Sequence, residues 1–331
     1  MKVICSTAAA LMLAIAACPV NAAEGLCAYE DLMPDFFALK ERTESLGAKA
    51  RGQVFVRDFV AAHPDYYATE VFGDLSALTD EAARLFNPAS WPTVPGYPPL
   101  TEERMLQTGT SVGELFARAQ RRFMAEFPDF SCDTFVAFGP SLFGFDGRTY
   151  RGSDGRARLL FGMDMIALFH APEDMPGFFQ HELFHLYQSQ VLGLDEPPET
   201  LVWWALWNEG LATYVSHELN PELTPAQIFW YPRDLDVQVE RNLAHWAALL
   251  LGELEETGGK PYARWFTAGA SGDGPPPRAG YYLGYRLAQE LARGRSLAEL
   301  ARLPPDEVRV SAQRFLESKS VSARMQPSRK E

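Results

Sequence analysis

The chain has 331 residues, of which 47% are hydrophobic and 12% aromatic. That is enough apolar material for one large domain or two packed lobes, and it argues against wholesale disorder. A formal net charge of −13 excludes a basic nucleic-acid footprint, and an anionic membrane surface would repel the chain.

The first elements concern export. Lys2 precedes an apolar run from Val3 to Ala17 that is too short to span a membrane comfortably. Val20-Asn21-Ala22 then supplies compact residues at the −3 and −1 positions of a cleavage site. Residues 1–22 therefore read as a signal peptide, with a mature start at Ala23. Ile15-Ala16-Ala17-Cys18 also resembles a bacterial lipobox, which would leave a lipidated Cys18 and attach the protein to a membrane. Pro19 directly after that cysteine argues for simple cleavage. Both routes export the protein, to the periplasm or beyond the cell. Cys27 and Cys132 remain after processing, and in an oxidising compartment they are expected to form a disulfide.

Residues 23–130 read as a helical N-terminal region. From Glu30 to about Phe86, Leu32, Phe36, Leu39, Val54, Phe55 and Phe59 recur at helical spacing. Asn87 to Leu100 is a Pro-rich surface connector. Ser111-Val112-Gly113-Glu114 fits a capping box that opens a long helix, with Leu115, Phe116, Ala119 and Phe123 on its apolar face.

At Cys132 the pattern changes. Thr134 to Phe138, Leu142 to Phe145 and Arg156 to Met163 read as strands, joined by Asp146-Gly147 and Asp154-Gly155 turns. Helices are expected over 175–191, 200–219, 235–256, 280–293 and 305–317. The polar tail, 318–331, is expected to be disordered. The fold class is α+β and mainly helical, with a small sheet placed just before the helix that carries the chemistry, inside a catalytic domain over 131–317.

That helix contains His181-Glu182-Leu183-Phe184-His185. Histidines at i and i+4 share one helical face, so both imidazoles can reach one tetrahedral metal. Glu182 stands beside them, free to act as a general base toward water. Asp174 and Pro176 suit the start of the helix and Gly193 its end. A catalytic site needs a third protein ligand. His170, His217, His245 and the downstream carboxylates are candidates. Glu209 is the strongest, because a returning antiparallel helix would aim it at the same point, and its neighbours Trp203, Trp204, Trp207 and Leu211 would bury it. Gly210 and Ala212 would permit a close helix approach.

The run Asn208-Glu209-Gly210-Leu211-Ala212, with Tyr214, following HExxH resembles the gluzincin zinc peptidases. Gly280-Tyr281-Tyr282-Leu283-Gly284-Tyr285 adds a third segment. The order of the three is similar to a family of predicted zinc-dependent proteases that bears a domain-of-unknown-function label. The resemblance covers about residues 134 to 293. It implies a zincin-like fold, Zn2+ held by His181, His185 and Glu209, Glu182 as base, and a peptide or protein substrate. Gln188, one turn beyond His185 on the same helical face, is expected to line the cleft. Gluzincins set a Tyr or His opposite the zinc as oxyanion donor, which nominates Tyr281 or Tyr282, with Tyr285 behind. Tyr281 and Tyr285 are expected to share a face and Tyr282 to point elsewhere.

Zincins also bind extended substrate along an edge strand, here expected at Arg158 to Met163. Asp164 and His170 would orient a ligand imidazole or serve as turn and cap groups. Two rival readings keep the motif without turnover. One is a zincin-like module that binds peptide or acts as a chaperone-like or regulatory protein. The other is a structural zinc site, which would normally take four protein ligands.

Overall fold

A computed structural model describes residues 25–193, 197–269 and 274–321. The expectations for the signal peptide, cleavage before Ala23 and Cys18 lie outside these residues, as does the tail beyond Val321.

The protein is α+β. Four strands form one sheet: β1 (Tyr29–Asp31), β2 (Phe135–Gly139), β3 (Gly147–Arg151) and β4 (Ala157–Gly162), in the order β1-β2-β4-β3. β2 runs parallel to β1 and to β4, with Val136 opposite Leu159, and β3 returns antiparallel to β4. The two inner strands carry apolar residues on both faces, as strands covered on both sides must. On one face Phe138 and Phe161 stack, their centroids 4.8 Å apart. Two helices cover this pair, α5 (Glu102–Glu126) through Phe116 and α7 (Met175–Leu192) through Phe179. On the other side the Tyr66 hydroxyl donates to the carbonyls of Gly139 and Phe161.

The N-terminal layer holds α1 (Met33–Arg42), α2 (Ala48–Val54), a wide-turned π segment (Phe55–Val60), α3 (Thr69–Phe72) and α4 (Thr79–Leu85). The helical reading of this region misses β1, which is only three residues long. Cys27 and Cys132 form a disulfide, with Cα atoms 5.1 Å apart. It joins the segments just before β1 and β2, so sheet and disulfide both tie residues on either side of position 130. Closing a loop of 105 residues stabilises by up to about 4–5 kcal/mol in the chain-entropy picture.

Several boundaries differ from the sequence reading. α5 starts at Glu102, where the Thr101 side chain accepts from the Arg104 N–H; Ser111 lies inside the helix and bonds back to the Gln107 carbonyl. Leu142 to Phe145 is a turn. Leu142 and Phe143 have left-handed backbones (φ 59° and 62°), and Asp164 accepts from the Ser141 and Phe143 N–H groups. The carboxylate takes donors that a ladder would have used, and the strand falls on the polar run Gly147–Arg151. Asp164 is therefore a turn-capping group. β4 is an inner strand, so the edge beside α7 is β3 and not Arg158 to Met163.

The remaining helices are α6 (Met163–Phe169), α8 (Val202–Leu219), α9 (Pro225–Ile228), α10 (Leu235–Glu240), α11 (Leu243–Gly252), α12 (Gly259–Phe266), α13 (Ala279–Leu291), α14 (Leu297–Ala301) and α15 (Pro305–Val321). The expected 235–256 helix is two helices, broken at Arg241 and Asn242. α15 continues to Val321, past the expected start of the tail. Among the described residues no helix is long and apolar enough to cross a membrane.

Candidate metal centre

α7 begins with Pro176 in its first turn, where a missing N–H is harmless, and stops at Gly193, which adopts φ 59°. α8 packs against it in the opposite direction. Ser216 donates to the Gly177 carbonyl at one end of the pair, and His185 Nδ1 meets Asn208 Oδ1 at 3.1 Å further along. That second contact turns His185 Nε2 toward Glu209. His185 Nε2 stands 3.1 Å from His181 Nε2, and Glu209 Oε2 stands 3.3 Å from His181 Nε2 and 3.6 Å from His185 Nε2.

These spacings test the fit to a metal. Ligand atoms about 2.0–2.1 Å from a tetrahedral zinc lie about 3.3 Å from one another. The three measured separations scatter around that edge length. His181, His185 and Glu209 could together hold a metal ion.

No known protein family matches the sequence, and neither a curated protein nor a solved structure matches it.

The charges in the triad are coupled. Burial holds the His181 imidazole down at about 4, despite the Glu209 carboxylate beside it. Burial also opposes charge on His185, but Glu209 and Glu182 push it up to about 9. For Glu209, burial is outweighed by the two imidazoles, which hold its carboxyl well below the usual range. Glu182 is 8% exposed. Burial, reinforced by Asp146 and Glu209, raises its carboxyl to about 8 against the opposing pull of His185 and Arg278. A dication in the triad would draw it down again.

Glu182 reaches this position because β3 begins with glycine. A Cβ on Gly147 would lie 2.5 Å from Glu182 Cδ. The Asp146-Gly147 pair therefore serves the site as well as the turn. Asp146 accepts at 3.2 Å from His170 Nε2, so His170 is bonded to a cleft residue and not to a ligand imidazole. His217 bonds Tyr285 and His245 packs on Trp246, which leaves Glu209 as the carboxylate beside the two histidines.

The triad sits where two cavities meet. One, of about 590 Å³, is walled by Phe169, Trp230, Phe266, Arg278 and Tyr281; the other, of about 1050 Å³, runs past β3 and Asn208. Of the three nominated tyrosines, only Tyr281 lines a cavity with the triad. Its ring lies nearly parallel to that of His181, with centroids 6.1 Å apart. Burial, with Glu209 adding to it, raises its phenol well above the usual value, so it stays protonated. Tyr282 donates to Glu240 at 2.6 Å, and the Tyr285 hydroxyl pairs with His217 Nδ1 at 2.8 Å. Those two rings stack on each other at 6.4 Å. The expected pairing of Tyr281 with Tyr285 on one face is thus replaced by Tyr282 with Tyr285, because each hydroxyl follows its own polar partner. Gln188 is fully buried in the core rather than on the cleft.

Sequence reasoning misses Trp230, Arg278 and β3. The run Pro275-Pro276-Pro277-Arg278 directly before the Gly280 segment is the one signal in the sequence for a fixed cation at the cleft.

Proposed function

We propose that the protein is an exported zinc-dependent peptidase of the gluzincin type with a zincin-like fold. One observation carries the proposal: His181, His185 and Glu209 converge at tetrahedral spacing, with the Glu182 carboxyl buried beside them at the junction of two cavities. Glu182 is superfluous for merely holding an ion, and its place favours turnover over a binding or chaperone-like module. The disulfide is compatible with an exported protein.

Zinc, when bound, supplies a Lewis acid that polarises a carbonyl and lowers the pKa of water toward about 7. Glu182 takes the proton of the attacking water and delivers it to the leaving amine as the C–N bond breaks. The Tyr281 hydroxyl donates to the oxyanion that develops on the scissile carbonyl. β3, bonded to β4 on one side, offers its other edge to an extended peptide.

Zinc content and digestion of a peptide library by the mature protein test this reading. One zinc per chain with turnover is expected. Glu182→Gln should keep the metal and lose about 10²–10⁴-fold in rate. Tyr281→Phe should lose about 10²–10³-fold in kcat with fold and zinc intact. Zinc without turnover would move the protein to the regulatory class, and failure to bind any metal would remove the proposal. Intact mass of the exported form should place its N-terminus at Ala23; a diacylglycerol on Cys18 would overturn that.

A further inference from the structure

Arg278 brings a buried positive charge to the cleft. It is 6% exposed. Its Nη1 donates to the Phe229 and Tyr231 carbonyls at 3.0 and 3.1 Å. Its guanidinium carbon lies 3.8 Å from the centre of the Tyr281 ring and 4.6 Å from that of Trp230. All these direct partners are neutral. Among the described residues no carboxylate forms an ion pair with it, and Asp146 and Glu182 feel its charge only across the shared cavity. A buried charge without a directly paired counter-ion is costly. Such a charge is retained where a ligand supplies the counter-ion.

The backbone points the same way. Arg278 has φ 60° and Trp230 φ 40°. Both are left-handed, a region where any side chain other than glycine is strained, and such strain gathers at ligand clamps. The two strained residues stack on each other, and Trp230 also packs on His181 with ring centroids 5.3 Å apart. The guanidinium therefore lies within about 10 Å of a metal ligand. One residue spans about 3.5 Å, so once the contacts at the metal and at the guanidinium are taken from that span, one residue fits between the scissile carbonyl and a carboxylate held by Arg278.

We propose that Arg278 binds the C-terminal carboxylate of the substrate and makes the enzyme a carboxypeptidase. The inference rests on the peptidase reading and deepens it. Water adds to the carbonyl of the penultimate residue, the last C–N bond breaks, and the amine leaves with the proton from Glu182. The products are a shortened peptide and one free amino acid. The planar guanidinium fork matches a carboxylate. Phe169, Trp230, Tyr231 and Phe266 line the same cavity, so the released residue has a large apolar side chain. An acidic side chain could offer Arg278 the same carboxylate chemistry, but this aromatic wall and the chain's net charge of −13 both disfavour an acidic residue there.

The test uses three peptides and the zinc-loaded protein. One ends in Phe as the free acid, the second is its C-terminal amide, and the third is an amide with Glu after the scissile bond. The free acid should lose Phe, and both amides should react about 10²-fold more slowly in kcat/KM. Arg278→Gln should raise KM for the free acid about tenfold or more, with Arg278→Lys recovering part of the loss and the zinc content unchanged. Binding gives a readout independent of turnover. 3-Phenylpropionate should quench tryptophan fluorescence in the parent and bind about tenfold more weakly to Arg278→Gln, while the matching amide should not distinguish the two. Equal cleavage of acid and amide would overturn the proposal and leave the peptidase reading standing. Preference for the Glu amide would reassign Arg278 to acidic side chains and overturn it as well. If no peptide is cleaved, the peptidase reading fails, and equal binding of 3-phenylpropionate to parent and variant would then overturn the role of Arg278.

Discussion

Helix α8 meets its two main neighbours by opposite means. Toward α7 it presents Asn208 and Glu209, and polar side chains hold the two helices at a working distance. Toward α13 it presents the Leu206 carbonyl and Gly210, and the backbones touch. A Cβ on Gly210 would lie 2.1 Å from the Gly284 carbonyl carbon, and one on Gly284 would lie 1.9 Å from the Leu206 oxygen. Glu209 and Gly210 are consecutive residues. One belongs to the group that could hold a metal ion and the next decides how deep the helix sits, so the geometry of that group depends on a contact made on the opposite face.

Breaking the polar face should have the largest effect. Glu209→Ala removes a ligand and should weaken zinc binding by more than the roughly 10–100-fold typical of losing an outer partner. Metal analysis after dialysis checks it. Retention of zinc at the parental level would mean that the third ligand is elsewhere. Breaking the glycine face should come next. Gly284→Ala forces backbone atoms apart, because the obstructing groups are a carbonyl and the Gly210 Cα, and should cost about 3 kcal/mol. Because α8 must shift, zinc affinity should fall too, although Gly284 touches no ligand. Gly252→Ala is the control, since a Cβ there would meet nothing within 4 Å; thermal unfolding should separate the two. Equal Tm values would show that the crossing tolerates a methyl group.

The same contrast explains what is legible in the sequence. HExxH fixes the relative directions of His181, Glu182 and His185 through helical geometry alone, so that part of the site can be read without tertiary knowledge. Glu209 is legible through its neighbours. The small size of Gly210 is legible too, but it points to α7, whereas its close partner is Gly284 of α13. β3 is hidden because Gly-Arg-Thr-Tyr-Arg lacks the alternation of a half-buried strand, as an edge strand can. Trp230 and Arg278 are hidden because left-handed backbones at loop ends aim their side chains, and periodicity carries no information there. The tyrosines are half legible. The segment stands out in the sequence, yet which hydroxyl faces the triad depends on Glu240 and His217, which lie elsewhere in the chain.

Tyr285→Phe should have the smallest effect and sharpens the comparison within α13 itself. Tyr281 and Tyr285 are four residues apart on one helix, and the same substitution removes one oxygen from each. The Tyr285 hydroxyl pairs with His217 Nδ1 at 2.8 Å. His217 lies two turns along α8 from Glu209, which is about 12 Å of helix rise. The Tyr285 ring is also held by Tyr214 and Phe229, with centroids 5.7 and 5.4 Å away. Phenylalanine keeps those ring contacts and loses one partly buried hydrogen bond, worth about 1 kcal/mol. Chemical denaturation should detect that loss, while kcat should stay within about twofold of the parent and zinc content should not change. Tyr281→Phe should do the reverse, leaving stability nearly intact and lowering kcat. A large fall in kcat for Tyr285→Phe would mean that the His217 bond sets the position of α13, and through it the aim of Tyr281. The division of α13 into a catalytic tyrosine and packing tyrosines would then fail.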